Sequence, residues 1–224
     1  LEPRVQGLQP AAASRRFPSY LAPAMTQLPE LPLTLSRQEI RKMIRQRRRT
    51  LTPEQQQEMG QQAATRMMTY PPVVMAHTVA VFLSFDGELD TQPLIEQLWR
   101  AGKRVYLPVL HPFSAGNLLF LNYHPQSELV MNRLKIHEPK LDVHDVLPLS
   151  RLDVLITPLV AFDEYGQRLG MGGGFYDRTL QNWQHYKMQP VGYAHDCQLV
   201  EKLPVEEWDI PLPAVVTPSK VWEW

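Results

Sequence analysis

The sequence predicts an α/β fold: a three-layer sandwich with a largely parallel central sheet and helices on both faces. Three observations lead there. Short apolar runs with little polar alternation, such as Val79-Ala80-Val81-Phe82-Leu83 and Val154-Leu155-Ile156, read as strands covered on both sides. Other segments repeat their apolar residues at helical spacing, as Leu94, Ile95, Leu98 and Trp99 do. The two kinds of segment alternate along the chain, the order expected where helices connect and cover the strands of one sheet.

A chain of 224 residues suits one domain with a tail. Residues 1–35 are expected to be a disordered extension, and 36–224 a single domain. Leu1 to Ala24 is rich in Pro, Ala, Arg and Ser, with Glu2 its one acidic residue. That composition fits a transit-type segment or an extension ahead of a natural start at Met25. The second fits better, because Pro3, Pro10, Pro18 and Pro23 suit an amphipathic targeting helix poorly.

Ser36-Arg37-Gln38-Glu39 is a capping-box pattern and opens the first helix, with Ile40, Met43 and Ile44 on one face. Thr52-Pro53-Glu54-Gln55 opens a second, striped by Met59, Ala63 and Met67 and stopped at Tyr70-Pro71-Pro72. The first strand follows at Val79–Leu83, then the helix that ends at Ala101-Gly102. Further strands are expected at Val105–Leu107, Leu118–Leu121, Val154–Ile156, Val191–Ala194 and Ala214–Val216, with Tyr106, Trp99 and Phe120 as core.

Composition closes several doors. Lys+Arg and Asp+Glu both total 23, so no global charge draws the chain to nucleic acid or anionic lipid. No run approaches the roughly 18–20 apolar residues that span a bilayer. Cys197 is the single cysteine, read as a small buried side chain, and the seven histidines show no metal-binding spacing. The basic run Arg41-Lys42, Arg45, Arg47-Arg48-Arg49 resembles an RNA-binding patch in composition. With no interleaved aromatics and with Glu39, Glu54 and Glu58 nearby, it reads instead as a solvated helix face. No nucleic-acid or membrane partner is expected.

The most informative segment is Arg168-Leu169-Gly170-Met171-Gly172-Gly173-Gly174-Phe175-Tyr176-Asp177, where four of the chain's 11 glycines fall within five positions. Phe175, Leu180 and Trp183 then read as a helix. A glycine loop running into a helix start offers free backbone N–H groups to phosphate, and glycine lets the chain approach closely at positive φ. It lacks the Gly-Lys-Ser/Thr of a Walker A loop, and Phe175 breaks the dinucleotide spacing. Arg168 can clamp phosphate oxygens, and Asp177 can ligate a magnesium ion. Blander readings stand beside these: a flexible turn for the glycines, a dipole-favoured carboxylate for Asp177, a turn residue before Pro211 for Asp209, and plain solvation for Glu88.

The order Arg-Leu-Gly-x-Gly-x-Gly-[Phe/Tyr]-Tyr-Asp, after the turn Phe162-Asp163-Glu164-Tyr165-Gly166, resembles the signature of 5-formyltetrahydrofolate cyclo-ligases. The resemblance runs from about Ser36 to the C-terminus and takes in Phe82–Glu88 and the tail Leu203–Asp209. It implies an enzyme that turns 5-formyltetrahydrofolate and ATP, with Mg²⁺, into 5,10-methenyltetrahydrofolate, ADP and phosphate. It places Arg168, Leu169, Gly170, Met171, Gly172, Gly173, Gly174, Phe175 and Tyr176 around the ATP phosphates. Arg37 and Arg41, four residues apart on one helix face, would join them. Leu83 and Glu88, with Met171 to Phe175, would meet the folate, Glu88 accepting from the pterin donors. Asp177 and Asp209 would hold Mg²⁺. A cytoplasmic monomer is the expected state.

Two departures matter. Some relatives carry Arg and Lys where this chain has Met171 and Gly173, which leaves Arg168, Arg178 or the N-terminal arginines to compensate. Arg37 stands where the family commonly has Lys, which changes the hydrogen-bond geometry. Two rival readings remain: a non-catalytic folate- or nucleotide-binding regulatory module, and a sugar-phosphate isomerase or CoA-transferase relative. The latter needs an activated base or nucleophile that the sequence does not display.

Overall fold

The computed structural model describes residues 35–224, so the expectations for residues 1–34 lie outside the described residues. Helix α1 (Arg37–Arg49) starts at its capping box, with Ser36 Oγ accepting from Glu39 N at 3.1 Å and Glu39 Oε1 from Ser36 N at 3.3 Å. Helix α2 (Pro53–Thr69) starts the same way, through Thr52 and Gln55. The stop at Tyr70 holds, but Pro71-Pro72 opens a further short helix, α3 (Pro71–Met75). Proline's fixed φ suits a first turn, where its missing N–H costs nothing.

Strand β1 (Thr78–Ala80) is shorter than the apolar run suggested. Val81 N still reaches Tyr106 O at 2.9 Å, but the next carbonyl, of Phe82, accepts from Thr91 Oγ1 at 2.7 Å, so the chain peels off the sheet. Helix α4 (Gln92–Arg100) follows and ends at Gly102, whose φ of +76° is the left-handed stop glycine allows. Then come β2 (Arg104–Leu110), β3 (Leu118–Tyr123), a hairpin of β4 (Leu129–Met131) and β5 (His137–Pro139), and β6 (Val146–Leu147). The rest are β7 (Val154–Thr157), β8 (Ala161–Asp163), β9 (Arg168–Leu169), α5 (Phe175–Leu180), β10 (Gln189–Tyr193), β11 (Leu199–Val200), β12 (Ala214–Val216) and β13 (Val221–Glu223). Helix α5 stops before Trp183, because Asn182 takes a left-handed φ of +59°.

The central sheet has eight strands in the order β13-β12-β10-β7-β1-β2-β3-β6. Its middle, β12 to β2, is parallel; β13, β3 and β6 pair antiparallel at the edges. Alternate side chains feed two cores, as the two-residue repeat of a strand requires. Val79, Val154, Ile156, Val191 and Val216 pack under Met67, Val73, Leu94 and Leu98 of α2, α3 and α4. Ala80, Tyr106, Phe120, Leu155 and Val215 face the other way, onto Leu180 of α5 and onto Phe162 and Leu199 of a three-stranded sheet, β11-β8-β9. Helix α1 packs on that small sheet through Ile40 and Ile44 against Ala161 and Leu169. The second face is therefore covered by helix and sheet together. Among the described residues no helix is long and apolar enough to cross a membrane.

From β1 the chain leaves through α4 to β2 on one side; from β7 it leaves through α5 to β10 on the other. β1 and β7 are neighbours, paired Val79 to Val154 and Ala80 to Leu155. Their outgoing connections diverge, so a crevice opens beyond their carboxyl ends, where open α/β sheets bind ligands.

Candidate active site

A cavity of about 680 Å³ fills that crevice. The connection after β1 supplies Phe82, Leu83, Phe85 and Glu88; the connection after β7 supplies Pro158, Leu159, Arg168 and the glycine loop. Helix α1 adds Arg37 and Arg41 from the rim. The residues singled out in sequence thus meet around one space: Arg37, Arg41, Leu83, Glu88, Arg168, Gly170 through Tyr176, and Asp177. Leu169 does not line it. Its side chain is buried among Ile40, Ile44 and Val160 beneath α1, where it anchors the loop's incoming strand.

The loop needs its glycines. Gly172 and Gly174 have φ of +105° and +70°, and a Cβ on Gly173 would lie 2.7 Å from the Phe175 ring. The amides from Gly170 to Gly174 donate to no described backbone carbonyl, which leaves them for a ligand. Since α5 is six residues long, these N–H groups matter more than any helix dipole.

The cations around the loop divide by role. Arg168 is buried, donates from Nε to Pro158 O at 2.8 Å, lies 4.0 Å from Asp177 Oδ1 and stacks 5.4 Å from the Tyr176 ring centroid. Desolvation lowers its pKa while Asp177 opposes the shift, and a guanidinium stays charged regardless. Arg41 Nε donates to Gly170 O at 2.7 Å. Arg178 is committed elsewhere: it donates to Gly116 O at 2.6 Å and to Gly173 O, pinning the loop to the β2–β3 turn.

The basic run is only in part the solvated face its spacing suggested: Lys42 and Arg49 are exposed. Arg45, Arg48 and Arg49 approach Asp86 at 3.2, 3.9 and 3.8 Å, Arg47 donates to Cys197 O at 3.2 Å, and Arg48 is buried. Sequence reading missed this because the partners lie far along the chain. Burial pushes the Cys197 thiol up to about 11, which leaves it unreactive.

The surroundings of Glu88 perturb its carboxyl. Its Oε1 accepts from Phe85 N at 3.1 Å, yet desolvation pushes the carboxyl up to about 7. A carboxyl poised there can ionise or protonate as a ligand demands.

Asp177 and Asp209 come together rather than apart. Asp177 Oδ1 accepts from Ile210 N at 3.2 Å, one residue beyond Asp209. Asp209 does not line the cavity in this state; Arg37 holds both its oxygens, at 2.6 and 3.0 Å. Among the described residues no group of three or more His, Cys, Asp or Glu side chains could hold a metal unaided. Two carboxylates at a phosphate loop do fit an ion that arrives with phosphate and completes its shell from phosphate oxygens and water.

Sequence reading also missed the apolar wall opposite the loop: Leu107, Leu110, Leu118, Leu134 and Ile136. Leu134 and Ile136 belong to the β4–β5 hairpin, whose three-residue strands are too short to show a period. Trp208, 63% exposed at the cavity rim, sits in a turn-like stretch with no pattern to mark it.

Comparisons with known proteins agree with this geometry. The sequence pattern of the 5-formyltetrahydrofolate cyclo-ligase family matches residues 34–218. The 5-formyltetrahydrofolate cyclo-ligase of Escherichia coli K12 is 98% identical over 182 residues, 81% of this chain and 100% of that protein. The enzyme of the same name from Haemophilus influenzae is 53% identical, over 80% of this chain and 96% of its own. The solution structure of 5,10-methenyltetrahydrofolate synthetase from Aquifex aeolicus superposes with a TM-score of 0.72 at 28% identity, covering 84% of this chain and 93% of that one. A Mycoplasma pneumoniae 5,10-methenyltetrahydrofolate synthetase shares the fold, with a TM-score of 0.65 at 20% identity over 82% and 99%. With the family pattern matching residues 34–218 and relatives at 98% and 53% identity, this chain belongs to the 5-formyltetrahydrofolate cyclo-ligase family.

Proposed function

We propose that the chain catalyses the ATP-dependent conversion of 5-formyltetrahydrofolate to 5,10-methenyltetrahydrofolate, with release of ADP and phosphate. The observation that carries it is a single cavity lined both by unpaired loop amides and by Glu88 with apolar side chains. That division of the lining suits a polyphosphate and a reduced pterin held in one space.

The chemistry explains the division. A formyl oxygen is a poor leaving group. It attacks the γ-phosphorus of ATP, the bond to ADP breaks, and the oxygen now carries phosphate. N10 then adds to the formyl carbon, the C–O bond breaks with phosphate leaving, and the N10 proton is lost. Such a transfer asks the protein for alignment and charge neutralisation rather than a nucleophile. The amides of Gly170 to Gly174 bind phosphate oxygens, Arg168 supplies a fixed positive charge beneath them, and Arg41 holds the loop's shape through the Gly170 carbonyl. Glu88 accepts from the pterin's amino and imino donors, and Leu83 with its apolar neighbours packs the ring.

Magnesium belongs to this reading as the ion carried by ATP. Asp177 would hold it, joined by Asp209 once Arg37 exchanges that carboxylate for phosphate. When bound, the ion neutralises charge on the transferring phosphoryl group. A cytoplasmic monomer with these two ligands and no nucleic-acid or membrane partner completes the proposal.

The test mixes purified protein with 5-formyltetrahydrofolate and Mg-ATP and follows the near-ultraviolet absorbance of the methenyl product. Product that requires both ATP and protein is expected. Binding of both ligands without product would contradict the reading.

A further inference from the structure

The residues that touch the cavity do not by themselves explain how Glu88 is held there. It closes a tight turn: Glu88 N donates to Phe85 O at 3.1 Å, and the two residues between, Asp86 and Gly87, have φ of +52° and +76°. Two successive positive φ values mark a mirror-image turn, a conformation that the Asp-Gly pair suits. Asp86 is one of three non-glycine residues with positive φ among the described residues.

The turn is also held from outside. Asp86 Oδ2 lies 3.2 Å from Arg45 Nε and 3.9 Å from Arg48 Nη2, and Oδ1 lies 3.8 Å from Arg49 Nη2. Arg48 is buried, so its charge is directed at the turn rather than spent in water. The Gly87 carbonyl is held from two further sides, by Gln56 Nε2 at 3.3 Å and by buried His195, whose Nε2 lies 3.2 Å away. A carbonyl can only accept, so the His195 ring donates there as its Nε2–H tautomer. Helix α1, which supplies the three arginines at one end, touches the phosphate loop through Arg41 at the other.

We infer that Asp86 is a positioning residue for the folate half of the site: facing the guanidinium groups of Arg45, Arg48 and Arg49, it steadies the Phe85–Glu88 turn so that the Glu88 carboxyl faces the pterin. The inference rests on the proposed contact of Glu88 with folate. Asp86 touches no ligand; it acts through the backbone of its own turn. The Arg45 and Arg49 pairs are partly exposed, and such pairs add little to global stability. Their loss therefore acts on the turn's geometry rather than on the fold.

The experiment compares steady-state kinetics of the full chain with those of Asp86→Asn, Asp86→Ala and Glu88→Gln. Asn tolerates positive φ, so Asp86→Asn removes the charge while keeping the turn accessible. It is expected to raise the KM for 5-formyltetrahydrofolate roughly 10-fold, since small misplacements of a contacting group cost this much. The KM for ATP and the thermal midpoint should stay close to those of the parent, and Asp86→Ala should show a larger folate effect. An unchanged folate KM in Asp86→Asn, beside a raised one in Glu88→Gln, would remove the positioning role alone. An unchanged folate KM in Glu88→Gln would overturn both that role and the contact it serves. Folate and ATP KM values rising together with a lowered midpoint would overturn it in favour of a purely structural ion-pair cluster.

Discussion

At the scale of single residues, the site works through side chains whose environments separate their tasks. Glu88 shows this best. Its carboxyl is held up at about 7 by desolvation, above the model-peptide value of about 4.3. If the ionised form accepts from the pterin, folate should bind less well as pH falls through about 7, because protonation converts an acceptor into a donor. The KM for folate measured between pH 6 and 8 should therefore rise on the acid side, and Glu88→Gln should flatten that dependence; a profile unaltered by the substitution would contradict it. The same raised pKa has a stability consequence of opposite direction. The folded state holds a proton at Glu88 that the unfolded chain releases, so this contribution is full below the unfolded value and is lost as pH rises through about 7. Gly173 offers a steric counterpart. Its added Cβ would meet the Phe175 ring at 2.7 Å, so Gly173→Ala must shift the ring or the loop. An ATP KM raised by roughly 10-fold or more is expected, with folate binding by calorimetry little changed.

At the scale of elements, α1 unites the site. Arg41 meets Gly170 O, Arg37 meets Asp209, and the last two turns meet Asp86, so one helix of 13 residues touches the glycine loop, a metal-ligand candidate and the turn that carries Glu88. Arg41→Ala should release the Gly170 carbonyl and weaken ATP more than folate, read as an ATP KM raised several-fold; equal effects on both substrates would argue for general loosening. Ser36→Ala removes the capping hydroxyl and should cost about 1 kcal/mol, seen as a lower thermal midpoint. Both caps were legible in the sequence because the capping box is a contract between residues three apart. The helix interior was less so. Arg45, Arg48 and Arg49 look like any solvated basic run until the turn at Asp86, more than thirty residues on, is folded against them. Likewise β1 ended early because Thr91 competes for the Phe82 carbonyl, a tertiary event that no local pattern announces.

At the scale of the molecule, topology explains why the site is where it is. The connections that leave the parallel neighbours β1 and β7 diverge, which opens the crevice, and they bring the Glu88 turn and the glycine loop to one cavity. The glycine spacing was readable because a loop with positive φ at Gly172 and Gly174 constrains neighbouring backbone positions directly. The apolar wall from β2, β3 and the β4–β5 hairpin was not, since its residues are scattered over three short elements and acquire meaning only once assembled. The central claim is that this geometry delivers the γ-phosphoryl group to the formyl oxygen. It is tested most directly by labelling that oxygen with its heavy isotope, running one turnover with ATP, and examining the released phosphate by mass spectrometry. The account predicts one heavy oxygen in each phosphate formed; label recovered in water, with unlabelled phosphate, would contradict it.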